Sequence, residues 1–413
     1  MQKTRRGIRL VIVCLLAMMC ALPSCLFCSF NNRAVAKANN ELKLHFIDVG
    51  QGDCIFVELP DGKNMIIDGG RKEHSKWVVD YLAKQGVTKI DFMVATHSDE
   101  DHIGGLIQVL DNFEVANIYR PFDLCSFMTS GGFKDELYIR FEQEFDSKYY
   151  VYNETYANFL EKVYNETCGG EQSNIKICSD KEKLISANAD YPYMIEFCMP
   201  TAQQVFSTSR IYQGYTIKQE EDKNATSAMV LITTSSNTFL LCGDATIAEE
   251  IELLNKLSEA KKADLKNLSL LKVGHHGAKT STSDILVEML QPKNAVIMVG
   301  QDNEYKHPNQ EVLDKLTKIG CVIYRTDECG NILVQEVNGS LQFSASKARE
   351  KAFVWVIYLV LSIVVVVNVF ITVMLDSQSM CSYIPVSVFH FATLYTSVLF
   401  TFLRYAAKYI ALF

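Results

Sequence analysis

The chain has 413 residues, of which 48% are hydrophobic and 21% charged, and its formal net charge is −8. That length excludes a small disulfide-stapled module and leaves room for one large or two ordinary domains. Eight Pro and 21 Gly are too few for a disordered or fibrous chain. The negative balance gives no general attraction to nucleic acid, whose binding would need a local basic patch.

The hydrophobic excess collects at the two ends. Lys3, Arg5, Arg6 and Arg9 precede an apolar run over residues 10–30 and the small-residue triplet Ala34-Val35-Ala36. This is the layout of a secretory signal peptide over residues 1–36, or of a signal anchor if the run is retained, and both export the middle of the chain. Residues 353–375 are almost wholly aliphatic or aromatic, long enough to cross about 30 Å of hydrocarbon. Residues 383–403 supply a second span, so the expectation is a membrane hairpin that tethers the protein to the lipid bilayer, with the middle of the chain extracytoplasmic. Lys347, Arg349 and Lys351 ahead of the first span pull the other way.

Between the ends, residues 42–47, 54–59, 65–67 and 91–95 read as short strands, stopped by glycine turns at Gly50-Gln51-Gly52-Asp53 and Asp68-Gly69-Gly70. Residues 75–85 have helical spacing. The second half repeats the mixture, with strands at 194–198, 228–233, 238–242, 270–273 and 295–299 and helices at 248–257, 283–290 and 310–319. Residues 120–222 read as an inserted segment, with a helix over 141–160. Strands and helices intermingle, which suggests two sheets clad in helices. Of the thirteen cysteines, the eight between the apolar ends form no CxxC pair, and Cys168 with Cys178 either closes a short disulfide loop or belongs to a set of free thiols.

The histidines carry the chemistry. Five of the eight lie in three short motifs, each at the end of an apolar strand. His97-Ser98-Asp99-Glu100-Asp101-His102 crowds metal-ligand types into a loop leaving a strand, so that His97 and Asp99 reach one ion while Asp101 and His102 reach another. The plainer alternative is a solvated acidic loop with an N-capping aspartate. Asp244 in Cys242-Gly243-Asp244-Ala245 can bridge two cations through its two oxygens, or cap the next helix. In Gly274-His275-His276-Gly277 one imidazole should ligate and the other lie beside it. His307, before Pro308, could meet a leaving group or a phosphate oxygen.

These motifs resemble the metallo-β-lactamase superfamily, whose signature is HxHxDH. They are closer still to the hydrolase domain of competence DNA-uptake channels of the ComEC family. The likeness runs through Phe46-Ile47-Asp48-Val49-Gly50-Gln51-Gly52-Asp53, residues 96–105, Gly243-Asp244-Ala245, His275-His276-Gly277 and His307-Pro308, in register from about residue 42 to 342. The HxDxDH and HHG strings are also similar to phosphorylcholine esterases. The resemblance implies an α+β fold, the αββα sandwich, over residues 42–343. It also implies two divalent cations, zinc first and manganese as the alternative because Asp99 replaces an imidazole. Its ligands would be His97, Asp99, Asp101, His102, Asp244, His275 and His276, with Asp101, His276 and His307 in the chemistry. Asp68 would orient a ligand histidine, Asp48 and Asp53 would lie near the metals, and Asn224 and Ser227 would line the pocket.

The activity so implied is hydrolysis of a phosphodiester, DNA among the candidate substrates, by a hydroxide held between the two cations. A small-ester hydrolase and a non-catalytic membrane-tethered binding component are the alternatives. Lys256, Lys261, Lys262, Lys266, Lys272 and Lys279 around the HHG motif would form a basic track for nucleic acid, or simply a solvated helix face.

Overall fold

Alternation and continuous apolar runs divide the strands into two kinds. Tyr193–Met199 buries every second side chain, as expected of a strand with one face on a core and one toward its rim. Met229–Thr234 begins with four consecutive buried residues, as a strand covered on both faces must. The computed structural model describes residues 41–121, 154–186, 191–201 and 221–347.

In the first half the strands are β1 (Lys43–Phe46), β2 (Ile55–Glu58), β3 (Asn64–Ile67), β4 (Lys89–Val94) and β5 (Glu114–Arg120). The small ribbon β6 (Thr167–Cys168) and β7 (Glu171–Gln172) comes next, then β8 (Asn174–Ile177). The second half contains β9 (Lys183–Ile185), β10 (Tyr193–Met199), β11 (Met229–Thr234), β12 (Thr238–Leu241), β13 (Leu270–Lys272) and β14 (Asn294–Ile297). It ends with β15 (Val322–Arg325), β16 (Ile332–Val337) and β17 (Ser340–Ala345). One sheet has the order β17-β16-β1-β2-β3-β4-β5-β8 and the other β15-β14-β13-β12-β11-β10-β9. The helices are α1 (Ser75–Lys84), α2 (Glu100–Asn112), α3 (Glu154–Asn165), α4 (Glu221–Asn224), α5 (Ile247–Lys256), α6 (Glu259–Leu265), α7 (Asp284–Leu290), α8 (Gln310–Lys318) and α9 (Thr326–Cys329).

Three apolar layers hold these elements together. Leu44, Phe46 and Val57 of the first sheet pack with Phe197, Val230 and Phe239 of the second. The outer face of the first sheet, with Phe56, Ile66 and Met93, meets Leu82, Leu106 and Phe159 of α1, α2 and α3. The outer face of the second, with Leu231, Leu240 and Leu271, meets Leu253, Leu286 and Leu316 of α5, α7 and α8. The result is the expected αββα sandwich.

The membrane part of the expectation is corrected. Among the described residues no helix is long and apolar enough to cross a membrane; α2, at 13 residues, rises only about 20 Å. A transmembrane hairpin, a tether to a lipid bilayer, a signal segment and an extracytoplasmic placement therefore form no part of the architecture described. Residues 1–36, 353–375 and 383–403, which suggested them, lie outside the described residues. Of the helix expected at 141–160, the described part begins at Glu154 and runs on to Asn165. Cys168 and Cys178 are both free thiols, so no disulfide joins them.

The parallel pairs β3–β4 and β4–β5 in one sheet, and β12–β13 and β13–β14 in the other, run in the same sense. Their C-terminal ends deliver Asp68, His97, Asp244, His275 and His276 to loops at the sheet ends, the usual place for a site in sheets of this kind. Two glycines let the backbones approach there. A Cβ on Gly105 would stand 1.9 Å from the Gly69 carbonyl oxygen, and one on Gly52, whose φ is +136°, 2.3 Å from that of Asp101. Gly105→Ala should therefore push α2 away from the 68–70 turn and cost about 1–3 kcal/mol, read as a lower denaturant midpoint at unchanged slope. An unchanged midpoint would contradict this packing.

Candidate metal centre

Each of three buried imidazoles is anchored at Nδ1. The Asp68 carboxylate, itself buried, accepts from His102 Nδ1 at 2.7 Å, from the Thr96 hydroxyl at 2.7 Å and from the Thr96 amide at 2.8 Å. Because the Thr96 hydroxyl donates to Asp68, it accepts from His97 Nδ1 at 3.0 Å. His276 Nδ1 donates to the Met298 carbonyl oxygen at 2.9 Å. These bonds place a proton on Nδ1 of all three rings and leave each Nε2 to face another partner. All three Nε2 atoms are buried without a hydrogen-bond partner, an arrangement that costs free energy unless something fills it.

The Nε2 atoms converge on one carboxylate oxygen. Asp244 Oδ2 lies 3.3 Å from His102 Nε2, 3.3 Å from His276 Nε2 and 4.0 Å from His97 Nε2. Asp244 is free for this because the helix-capping alternative is taken up elsewhere: Thr246 caps α5, in a capping box with Glu249. The Asp244 amide donates instead to Ser227 Oγ at 3.2 Å. His97, His102 and Asp244 form one group with metal-ligand spacing, and Asp101, His102 and His276 a second; together they suggest a dinuclear site. Orphaned imidazole nitrogens beside carboxylate oxygens are the donor set such cations take.

The charges agree with the geometry. Burial pushes the His102 and His276 imidazoles down, but Asp244 outweighs it, aided by Asp68 at His102 and by Asp101 and Asp53 at His276, so both stand well above the usual histidine range. Burial would raise Asp244, and the two imidazoles hold it well below the usual carboxylate range instead. A third group, Asp53, Asp68 and His102, also has ligand spacing. Its atoms are largely engaged within the chain: His102 Nδ1 gives its proton to Asp68, and the fully buried Lys272 ammonium pairs with Asp53 and donates to the Gly243 carbonyl at 2.9 Å, while Asp53 Oδ1 has no hydrogen-bond partner.

With this geometry in place, the comparisons with known proteins agree with the sandwich. The family model described as the metallo-beta-lactamase superfamily matches residues 47–166 and 216–301. The chain has the metallo-beta-lactamase superfamily fold. ComE operon protein 3 of Bacillus subtilis is 28% identical over 323 residues, covering 74% of this chain and 34% of that protein. Recombination protein 2 of Haemophilus influenzae is 22% identical over 319 residues, covering 75% and 30%. The chain thus spans about a third of the length of these relatives, and its homology to competence-related proteins is weak. Among solved structures, the metallo-beta-lactamase fold protein YhfI from Bacillus subtilis aligns with a TM-score of 0.38 and 11% identity, over 71% of this chain and 99% of that one. The metallo-beta-lactamase fold and the ligand clusters together make the chain a metallo-hydrolase.

Within this metallo-beta-lactamase fold the motif residues are not all placed as the spacing suggested. The HxDxDH string is not one loop, because α2 begins at Glu100. Asp101 and His102 therefore sit in its first turn, and His102 belongs to both groups instead of pairing only with Asp101. Asp99 stands at the helix N-cap without making a cap bond; it lies outside both groups, with Oδ2 3.6 Å from His97 Nε2 and Oδ1 3.1 Å from Lys223 Nζ. His276 enters the second group, whereas His275 is half-buried 3.9 Å from Asp244. His307 stacks edge-on against His275 with ring centroids 5.7 Å apart. Asp48 faces away, paired with Lys347 at 2.8 Å. Asn224 is buried with Oδ1 unpartnered.

Two lysines hold places at the centre that the motifs do not reveal. Lys272 interrupts the apolar run Leu270-Leu271-Lys272-Val273, and a charge in a buried strand demands a partner; that is the available signal. Lys223 carries none. Of the lysines around the HHG motif, Lys272 is buried, while Lys256, Lys261 and Lys262 are paired with Asp180, Glu196 and Glu259.

Lys272→Met would leave the buried Asp53 charge uncompensated and should cost about 3–5 kcal/mol of stability, measured by chemical denaturation; a change under about 1 kcal/mol would contradict the pairing. Because His102 and His276 hold protons above the usual range and a cation must displace them, zinc affinity should rise from pH 6 to pH 8, with proton release on binding. Calorimetric titration in buffers of different ionisation enthalpy checks this, and pH-independent affinity would refute it.

Proposed function

We propose that the chain is a metal-dependent phosphodiesterase that uses two divalent cations. One observation carries this reading: three imidazole Nε2 atoms, fixed in tautomer and without hydrogen-bond partners, surround a single oxygen of Asp244. His97, His102 and Asp244 would hold the first cation, with Asp99 beside them, and Asp101, His102, His276 and Asp244 the second. Imidazole-rich coordination suits zinc, and the carboxylate share leaves manganese open. Bound there, the cations supply Lewis acidity toward water and toward a phosphoryl oxygen.

The chain's own residues would set the geometry for that chemistry. Asp68, Thr96 and Met298 hold the three rings so that no tautomeric change is needed during turnover. Asp101, held well below the usual carboxylate range because His276 and His102 outweigh its burial, stays an acceptor at neutral pH. His307 is pushed down to about 4 by burial and by its neighbours His276 and His275. At neutral pH it is an uncharged ring that can offer a hydrogen bond to a departing oxygen.

The relatives named for competence and recombination favour a nucleic acid substrate. The ion-paired Lys256, Lys261 and Lys262 favour the second reading, a small diester held only at the centre. Elemental analysis of the purified chain, together with hydrolysis of bis(p-nitrophenyl) phosphate and of DNA with and without chelator, tests both. Chelator-sensitive cleavage of the small diester is expected, and cleavage of DNA as well selects the nuclease. Asp244→Ala and Asp101→Ala should lose metal and at least ~10³-fold in turnover while circular dichroism is unchanged. Wild-type turnover by Asp244→Ala would end the proposal.

A further inference from the structure

The loop between β14 and α8 is fixed at both ends to the motif turns. At one end the Gly300 amide donates to Gln51 Oε1 at 3.2 Å, and at the other the Asn309 amide donates to the Gly277 carbonyl oxygen at 2.8 Å. Between them Asn303 pins the chain. Its Nδ2 donates to the Gly300 and His307 carbonyl oxygens at 2.9 Å and 2.7 Å, and its Oδ1 accepts from the His307 amide at 3.0 Å. Lys306 takes a left-handed φ of +59°, a conformation that costs a non-glycine residue free energy and persists only where the surroundings hold it. The Tyr305 ring stacks on that of His307, with centroids 5.8 Å apart and planes 23° from parallel. His307 in turn meets His275 edge-on at 5.7 Å, and His275 Nε2 lies 3.9 Å from Asp244 Oδ2. Rings thus run from the centre out to solvent, where Tyr305 is 56% exposed.

We infer that Tyr305 is a stacking platform for a nucleobase carried by the phosphodiester substrate; this rests on the phosphodiesterase reading. Large apolar side chains are exposed at Trp77, Ile185, Tyr191, Ile285 and Tyr305, and among these described residues Tyr305 is the one that ring contacts connect to the centre. A ring so exposed gains little from burial, so packing does not explain why a pinned and strained loop presents it. Its inner side rests on His307, and its outer side is open to a second flat ring in the offset arrangement that aromatic pairs prefer. Every base has such a face, and stacking on an aromatic side chain binds bases with little regard to sequence. It also needs none of the ion-paired Lys256, Lys261 and Lys262. A base on Tyr305 and a departing oxygen at His307 would be met by neighbouring residues of one loop.

The test uses the full chain loaded with zinc, as wild type, Tyr305→Phe and Tyr305→Ala. Two probes are compared: thymidylyl-thymidine, and the same diester with hydrogen in place of both thymines. Chromatography of the products gives kcat/KM, and calorimetry gives binding. Wild type and Tyr305→Phe should prefer the base-bearing diester about tenfold in both measurements, and Tyr305→Ala should bring that preference close to one. A preference that survives in Tyr305→Ala would overturn the inference, including the case in which both diesters weaken by the same factor, since the ring would then only support His307. A wild type without the preference would overturn it as well. A wild type that holds metal and cleaves neither diester defeats the phosphodiesterase reading, and binding then decides the inference by itself. A binding preference lost in Tyr305→Ala would support the platform, and equal binding of the two diesters by wild type would overturn it.

Discussion

Asp244 is the residue on which the rest of the site depends. Its carboxylate is buried at the end of β12, one of its oxygens is surrounded by three imidazole nitrogens, and its backbone amide is held by Ser227. A buried carboxylate in that position is tolerable only against positive charge. In the chain alone that charge comes from His102 and His276, which is why both are raised well above the usual range. The same crowding makes a cation the better partner, because it satisfies the nitrogens and the carboxylate together.

The sandwich exists to bring those groups to one place. His97 and His102 come from one sheet and its helix, Asp244 and His276 from the other, and contacts between the sheets run through Phe46, Phe197 and Phe239. Outer contacts then fix the rings: Asp68 after β3 holds His102 and Thr96, and the carbonyl of Met298 after β14 holds His276. Lys272 ties Asp53 of the first sheet to the Gly243 carbonyl of the second, so the two halves of the centre are pinned by an internal ion pair as well as by apolar packing.

Much of this is legible in the sequence. Short apolar runs broken by glycine mark β1–β4 and β10–β14 to within a residue or two, because buried strands carry few polar groups and must turn sharply at their ends. β5 and β15–β17 do not stand out, since Asn117, Tyr324, Gln335 and Ser344 break their apolar runs on half-exposed faces. The motif histidines show where the chemistry lies but not how it divides. Sequence spacing pairs His97 with Asp99 and Asp101 with His102, whereas the helix starting at Glu100 turns His102 between both groups and leaves Asp99 to Lys223. Partners distant in sequence, such as Lys272 with Asp53, are set by sheet stacking, which no local pattern encodes.

The central claim is that imidazoles from both sheets share a pair of cations around Asp244. Crystals grown with zinc and measured at the zinc absorption edge test it most directly. The account predicts two anomalous peaks, one among His97, His102 and Asp244 and the other among Asp101, His102, His276 and Asp244. A map without signal at Asp244, with zinc bound only elsewhere on the protein, would contradict it.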